Sequence, residues 1–325
     1  MRRSMYRSVE ASLSVPLRSL LGAGLFALAC GPRAVDVGEP HNEPTAKAAP
    51  APAPEPEPWW KSKAPCPPGA ALKGAPHPEG KEIWCEKPNG TKHGPDTAWH
   101  DTGNKEKELS YVDGKEDGRF TRWHPNGQTA EEGRFRAGKR EGRIVTYHEG
   151  GQRASDCEYH EGLEAGRCTK WNSHGQKIEE SDFREGKPNG KATRWHDNGK
   201  LRDEVEFVNG QRHGNYVSFH ANGQKETEGR FAKDKEHGTW RTYSDAGLKL
   251  EEVVYVDGQK SGPFTRWHDK GNKAVEGSYE AGKQAGKWTY WDADGNVTKI
   301  EEYKGGKVVK RTQPKPEKAK DKPAK

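Results

Sequence analysis

Long hydrophobic runs are almost missing from this chain. Of its 325 residues, 30% are apolar and 32% charged, and the mean hydropathy is −1.18. That composition excludes a large aliphatic interior and, taken alone, describes a disordered polymer. Cysteine is scarce, five in all, and no two stand at metal-finger spacing. No nucleophile elbow, phosphate-binding loop or singular grouping of Ser, His and Asp occurs. There is thus no reason to expect an enzyme, a cofactor or a metal. What the chain does have is aromatic residues: eleven Trp, ten Tyr and eight Phe, far out of keeping with disorder.

The first thirty residues read as an export signal. Arg2, Arg3, Arg7 and Arg18 form a basic front, and Leu20 to Ala29 form an apolar run too short to span a membrane. Cys30 follows, in a setting that resembles the cleavage box of bacterial lipoproteins, although Ala27 stands where that family usually has Leu. The resemblance makes Cys30 the expected lipidation site and places the chain outside the cell on a membrane anchor; ordinary secretion is the alternative. Gly31 replaces the Asp that retains lipoproteins at the inner membrane, which favours the outer membrane or cell surface.

Residues 31–58 form a Pro/Ala/Glu-rich linker suited to extended polyproline II. Residues 59–93 read as a cap or worn first repeat, 94–309 as a repeat domain, and 310–325 as a basic disordered tail. Between Lys304 and Lys325, nine Lys or Arg face only Glu317 and Asp321, an excess of seven against a net charge of +6 for the whole chain. The middle is therefore near neutral, and no specific nucleic-acid binding is expected.

The strongest signal is a repeat. Glycine recurs every 24 residues from Gly94 to Gly286 without insertion or deletion. Five residues after each stands an aromatic: Trp99, Trp123, Tyr147, Trp171, Trp195, Phe219, Tyr243, Trp267 and Trp291. Seventeen after each stands a second: Tyr111, Phe135, Tyr159, Phe183, Phe207, Phe231, Tyr255, Tyr279 and Tyr303. A further glycine opens the link to the next unit in eight of nine cases, Asp234 being the exception. Such a period means one supersecondary unit stacked on copies of itself.

In GRFTRWHPNGQTAEEGRFRAGKRE (residues 118–141), GRFTRWH and TAEEGRF are strand-like, while HPNGQ and AGKRE read as turns. Each repeat is then one hairpin. Nine of them predict an all-β fold, an elongated single-sheet antiparallel meander of about eighteen strands, roughly 85 Å long at about 4.8 Å per strand. A three-residue Pro-Asn-Gly loop with a bulge is expected at the first turn, which would put both aromatic series on one shared face; a two-residue loop would put them on opposite faces.

Units such as GRFTRWHPNGQTAEEGRFRAGK and GNYVSFHANGQKETEGRF resemble the MORN repeat, in the bacterial variant form that also carries an antitoxin label. The likeness covers about residues 90–306, in a unit one residue longer than the common MORN period. It implies an elongated β-meander that serves as a scaffold or binding surface, and it does not imply an enzyme. An antitoxin or immunity role is the weakest reading, since an exported chain is misplaced to meet a cytoplasmic toxin.

Cys66 and Cys85 flank the cap, and Cys157 and Cys168 fall on successive expected strands; both pairs are candidate disulfides. His100, His124, His148, His196, His220 and His268 follow the first aromatic series. Equivalent positions lie two strands, about 10 Å, apart, too far to share a metal, so these histidines are expected to bond the turns. Trp59 and Trp60 either pack over the open end of the sheet or stay exposed.

Two functional readings follow. The first is an envelope-anchored, non-catalytic protein-interaction scaffold that uses the extended β surface. The alternative is a glycan or cell-wall binding module with Trp and Tyr platforms, so the expected partner is an unknown protein or an envelope glycan. Burial discriminates: rings packed inside would remove the platforms, and rings exposed in a row would weaken the scaffold reading.

Overall fold

Every repeat folds as the same hairpin, for reasons that lie in its turns and bulges. The computed structural model describes residues 57–313; the expected export signal, Cys30, nearly all of the linker and the end of the tail lie outside the described residues. At the first turn of one repeat the His124 N–H donates to the Gln128 carbonyl and the Gly127 N–H to the His124 carbonyl, both at 2.8 Å. The loop is thus the three-residue Pro125-Asn126-Gly127, with Gly127 at φ +86°, a left-handed conformation that glycine adopts without strain.

The second turn is tighter than expected. Ala137 and Gly138, both at positive φ, are its two residues, and Lys139-Arg140 already belong to the next strand. The repeat glycine, here Gly142 at φ +72°, sits inside that strand as a bulge. Where Asp234 replaces the turn glycine, at φ +66°, its carboxylate accepts hydrogen bonds from the backbone N–H and Nε of Arg212.

The expectation of one shared aromatic face is overturned. Arg122 pairs with Glu131 but Trp123 pairs with Thr129, leaving Ala130 as an extra residue just beyond the loop. One extra residue reverses the side on which every later side chain emerges. The loop has the expected length, yet this bulge cancels its effect, and Trp123 and Phe135 point to opposite faces. The same shift occurs in all nine hairpins.

Among the described residues the strands run from Ala71–Ala75 to Lys307–Thr312 in one open antiparallel sheet of 23, each pairing with the next except where two pieces of one split strand share the same neighbour. Two cap strands, Ala71–Ala75 and Glu82–Glu86, and a last strand, Lys307–Thr312, add to the eighteen expected; two hairpin strands are split at their bulges. The expected tail thus contributes its first residues to the sheet.

The core is a column on one face, made by the residues two and fifteen places after each repeat glycine, which pair directly across the hairpin: Phe120 with Gly133, Ala192 with Val205, Trp240 with Val253, Phe264 with Gly277. Large side chains stand beside small ones. A Cβ on Gly229 would lie 2.2 Å from the Trp240 ring, and one on Gly277 2.2 Å from the Trp288 ring. Over those glycines, rings of successive repeats meet, Tyr216 with Trp240 at 5.6 Å and Phe264 with Trp288 at 5.4 Å between centroids. The second aromatic series flanks the column, with Phe135 and Phe231 buried.

This core falls into two clusters, one around Phe120 and Ile144 and one from Ala192 to Trp288. Between them the column holds only Cys157, Cys168 and Ser181, and a disulfide joins the two cysteines across adjacent strands. A second disulfide, Cys66 to Cys85, ties the chain ahead of the sheet to the cap strand. Acidic side chains close the column at each end: Asp96 is buried against Lys92 and Lys107, and Glu301 against Lys299 and Arg311.

Candidate interaction face

The first aromatic series lies on the other face, away from the core. Eight of its nine rings, from Trp123 to Trp291, are half-buried, whereas Trp99 is only 8% exposed. A cation stands over several of them. The Lys105 Nζ lies 5.5 Å from the Trp123 ring, Lys177 5.3 Å from Trp195, Lys225 5.9 Å from Tyr243 and Lys249 5.2 Å from Trp267. Each of these lysines also pairs with a carboxylate three residues on, such as Glu108, Glu180, Glu228 or Glu252.

Those carboxylates form a ladder. The residue fourteen places after each repeat glycine is acidic from Glu108 to Glu276. It pairs on both sides with the residue three places after a glycine, commonly threonine: Glu108 stands between Thr97 and Thr121, and Glu180 between Thr169 and Thr193. Short β-branched residues therefore alternate with acids along this face, an arrangement that cross-strand packing supports. The Tyr147 hydroxyl donates to Glu132 and the Tyr243 hydroxyl to Glu228; burial and the Glu228 carboxylate push the Tyr243 hydroxyl up to about 12.

The histidines hold one repeat to the next. Nε2–H of His100, His124, His148, His196, His220 and His268 donates at 2.8–3.0 Å to the backbone carbonyl of the aromatic residue in the following repeat. Asn126, Asn198 and Asn222 reach the neighbouring turn in the same way. These bonds occupy the imidazoles in structure. A cluster of Cys157, Glu164 and Cys168 has metal-like spacing, but both thiols are in the disulfide.

Two hollows open onto this face. One, of about 340 Å³, is lined by Trp59, Glu108, Arg119, Thr121 and Trp123; the other, of about 660 Å³, by Glu204, Val217, Phe219, Glu228 and Arg230 among others. They use equivalent positions of different repeats, so the groove belongs to the repeat. Trp59 and Trp60 pack on the first repeat: Trp59 Nε1–H donates to Thr97 Oγ1 at 2.9 Å, and Trp60 meets the Trp99 ring edge-on at 5.4 Å.

The core column does not stand out in the sequence, and the threonine and acid ladder does so only in part. The glycines at 133, 229 and 277, each inside an expected strand, were the available signal for the column. For the ladder it was the recurring Thr-x-Trp, present in six of the nine repeats.

The MORN repeat variant family matches residues 116–137, 188–209 and 284–304. Each match starts two residues before a repeat glycine, namely Gly118, Gly190 and Gly286, so all three fall in one frame of the 24-residue period. The comparison with curated proteins found no match. Among solved structures, the crystal structure of TcdB2-TccC3-Cdc42 aligns with 75% of this chain at 11% identity and a TM-score of 0.18. That of TcdB2-TccC3 aligns with 75% at 11% identity and 0.13. This chain spans only 17% and 18% of those chains, and likenesses so slight carry no argument.

Proposed function

We propose that this chain, which is built of MORN-variant repeats, is a non-catalytic interaction scaffold of the cell envelope that offers its ladder face to an extended partner. The observation that carries this reading is the recurring row of acid and aromatic side chains, with threonine in six of the nine repeats, on the face that the core does not use. A periodic surface matches a partner that is itself extended, and many weak contacts in series add up to useful affinity. Export on a lipid anchor at Cys30 is supported by the basic front and ten-residue apolar run before it, and the two disulfides suit an oxidising compartment.

The glycan reading has one observation in its favour, the even spacing of indoles on the outer face. Against it, lysine ammonium groups stand over Trp123, Trp195 and Trp267, where a sugar ring would have to stack. The test is recovery of envelope proteins on the full chain and on a chain lacking residues 190–261, three whole repeats. Partner recovery should fall with the shortened chain, and equal recovery by both would refute an extended binding face. Loss of acyl labelling in a Cys30→Ser chain tests the anchor separately.

A further inference from the structure

The first repeat differs from the others in having its ladder face covered, and what covers it is part of the same chain. Trp59–Lys61 forms a single 3-10 turn lying on the Thr97-Ala98-Trp99 segment. One indole donates its N–H to the threonine hydroxyl, the other sets its edge against the tryptophan, and the two meet edge-to-face at 5.6 Å. Thr97, which also pairs with Ile83 of the cap strand, is 0% exposed, and Trp99 is 8% exposed. The same Thr-x-Trp element recurs at Thr121/Trp123, Thr169/Trp171, Thr193/Trp195, Thr265/Trp267 and Thr289/Trp291, where threonine and tryptophan are only half-buried. The smaller hollow begins where Trp59 ends and runs to Thr121 and Trp123, so the covered seat and the next open one are continuous.

We propose that the open Thr-x-Trp elements are serial docking seats for a partner segment carrying adjacent tryptophans in single 3-10 turns, which binds each seat as Trp59-Trp60 binds the first. This rests on the scaffold reading above and specifies the partner's chemistry. The threonine hydroxyl accepts the indole N–H, and the ladder tryptophan gives an aromatic wall against which the second indole packs edge-on; at Trp123, Trp195 and Trp267 that indole takes the place of the lysine ammonium over the ring. The repeats with Val145, Val217 or Arg241 in place of threonine lack that acceptor, so the seats are grouped: two in repeats around Trp171 and Trp195, two around Trp267 and Trp291, and one at Trp123 beside the covered seat. A partner with tryptophan pairs at matching intervals would gain by multivalency.

The probe is a labelled synthetic peptide of residues 56–63, PEPWWKSK, titrated into the full-length protein and followed by fluorescence anisotropy. Saturable binding is expected, lost when both peptide tryptophans are alanine and weakened about 3- to 10-fold at the affected seats by Thr193→Val and Thr265→Val, which keep the shape and remove the hydroxyl. In a Trp59→Ala/Trp60→Ala chain the first seat opens, and the stoichiometry should rise by one. No saturable binding up to about 1 mM, or binding indifferent to both threonine substitutions, would overturn the proposal. So would saturable binding of a chito-oligosaccharide in place of the peptide. If the peptide fails while partner recovery still depends on residues 190–261, the scaffold reading survives and only the seats are refuted.

Discussion

The two faces of the sheet are made from the same repeats by opposite rules. On the core face the position two residues after the glycine holds Asp96, Phe120, Ile144, Cys168, Ala192, Tyr216, Trp240, Phe264 and Trp288, with no neighbour like the last. Three residues further along the same strand, on the ladder face, Trp99, Trp123, Tyr147, Trp171 and Trp195 scarcely vary. Packing in a column constrains how much space neighbours fill together, so a glycine suits a tryptophan and two medium side chains suit each other. A face with no such demand repeats because something else reads it: the next repeat, through the histidine bonds, and on our proposal a partner. In this protein, then, the ladder face repeats its aromatic position, while the central column of the core varies from repeat to repeat and only the aromatic series flanking it recurs.

Deleting a core ring should have the largest effect. Trp240→Ala is expected to cost about 3–5 kcal/mol in urea unfolding, whereas Trp195→Ala, on the ladder face, should cost less than about 1.5 kcal/mol. Equal losses would erase the distinction between the faces. Filling a gap comes next: Gly229→Ala puts a methyl group against the Trp240 ring and should cost about 1–3 kcal/mol. Part of that loss should return in the pair Gly229→Ala/Trp240→Val, since compensation between neighbours is what the core face demands.

The buried acids at the two ends of the core column respond differently to pH. At Asp96 burial outweighs Lys92 and Lys107 and raises the carboxyl above its ordinary value. At Glu301 burial also pushes upward, but Lys299, Tyr303, Arg311 and Tyr290 overcome it and hold the carboxyl at about 2. A depressed carboxyl contributes stability that is complete above its unfolded value and lost as pH falls through its folded one. The last repeats should therefore weaken between about pH 4.5 and 2, and Glu301→Gln should flatten that part of the stability profile. A profile unchanged by the substitution would mean the carboxylate is not held by this cluster. The smallest effect is expected at a turn: Ala281 sits at φ +45°, and Ala281→Gly should gain less than about 1 kcal/mol in the same unfolding assay.

Much of this architecture was legible in the sequence. The 24-residue spacing and the Asn-Gly turns announced hairpins in a single antiparallel sheet, and the family likeness pointed the same way. Facing was not legible, because the residue that decides it is an unremarkable one: Ala130, Ile178 and Arg202, the bulged residues of three repeats, share no side-chain chemistry. The core column escaped notice for a related reason. Its members change from repeat to repeat, so a search for recurring residues passes over them. The seat of Trp59 and Trp60 depends on a contact across 38 residues, Trp59 to Thr97, which no local pattern encodes.

Hydroxyl-radical footprinting, read tryptophan by tryptophan by mass spectrometry, separates the two faces in a single experiment. Trp288 and Trp291 lie three residues apart on one strand, the first 2% exposed in the core column and the second half-buried on the ladder face. Trp288, Trp240 and Trp99, the last shielded by Trp60, should react slowest, and Trp123, Trp195, Trp267 and Trp291 faster. Equal reactivity of Trp288 and Trp291, or the reverse order, would contradict that separation.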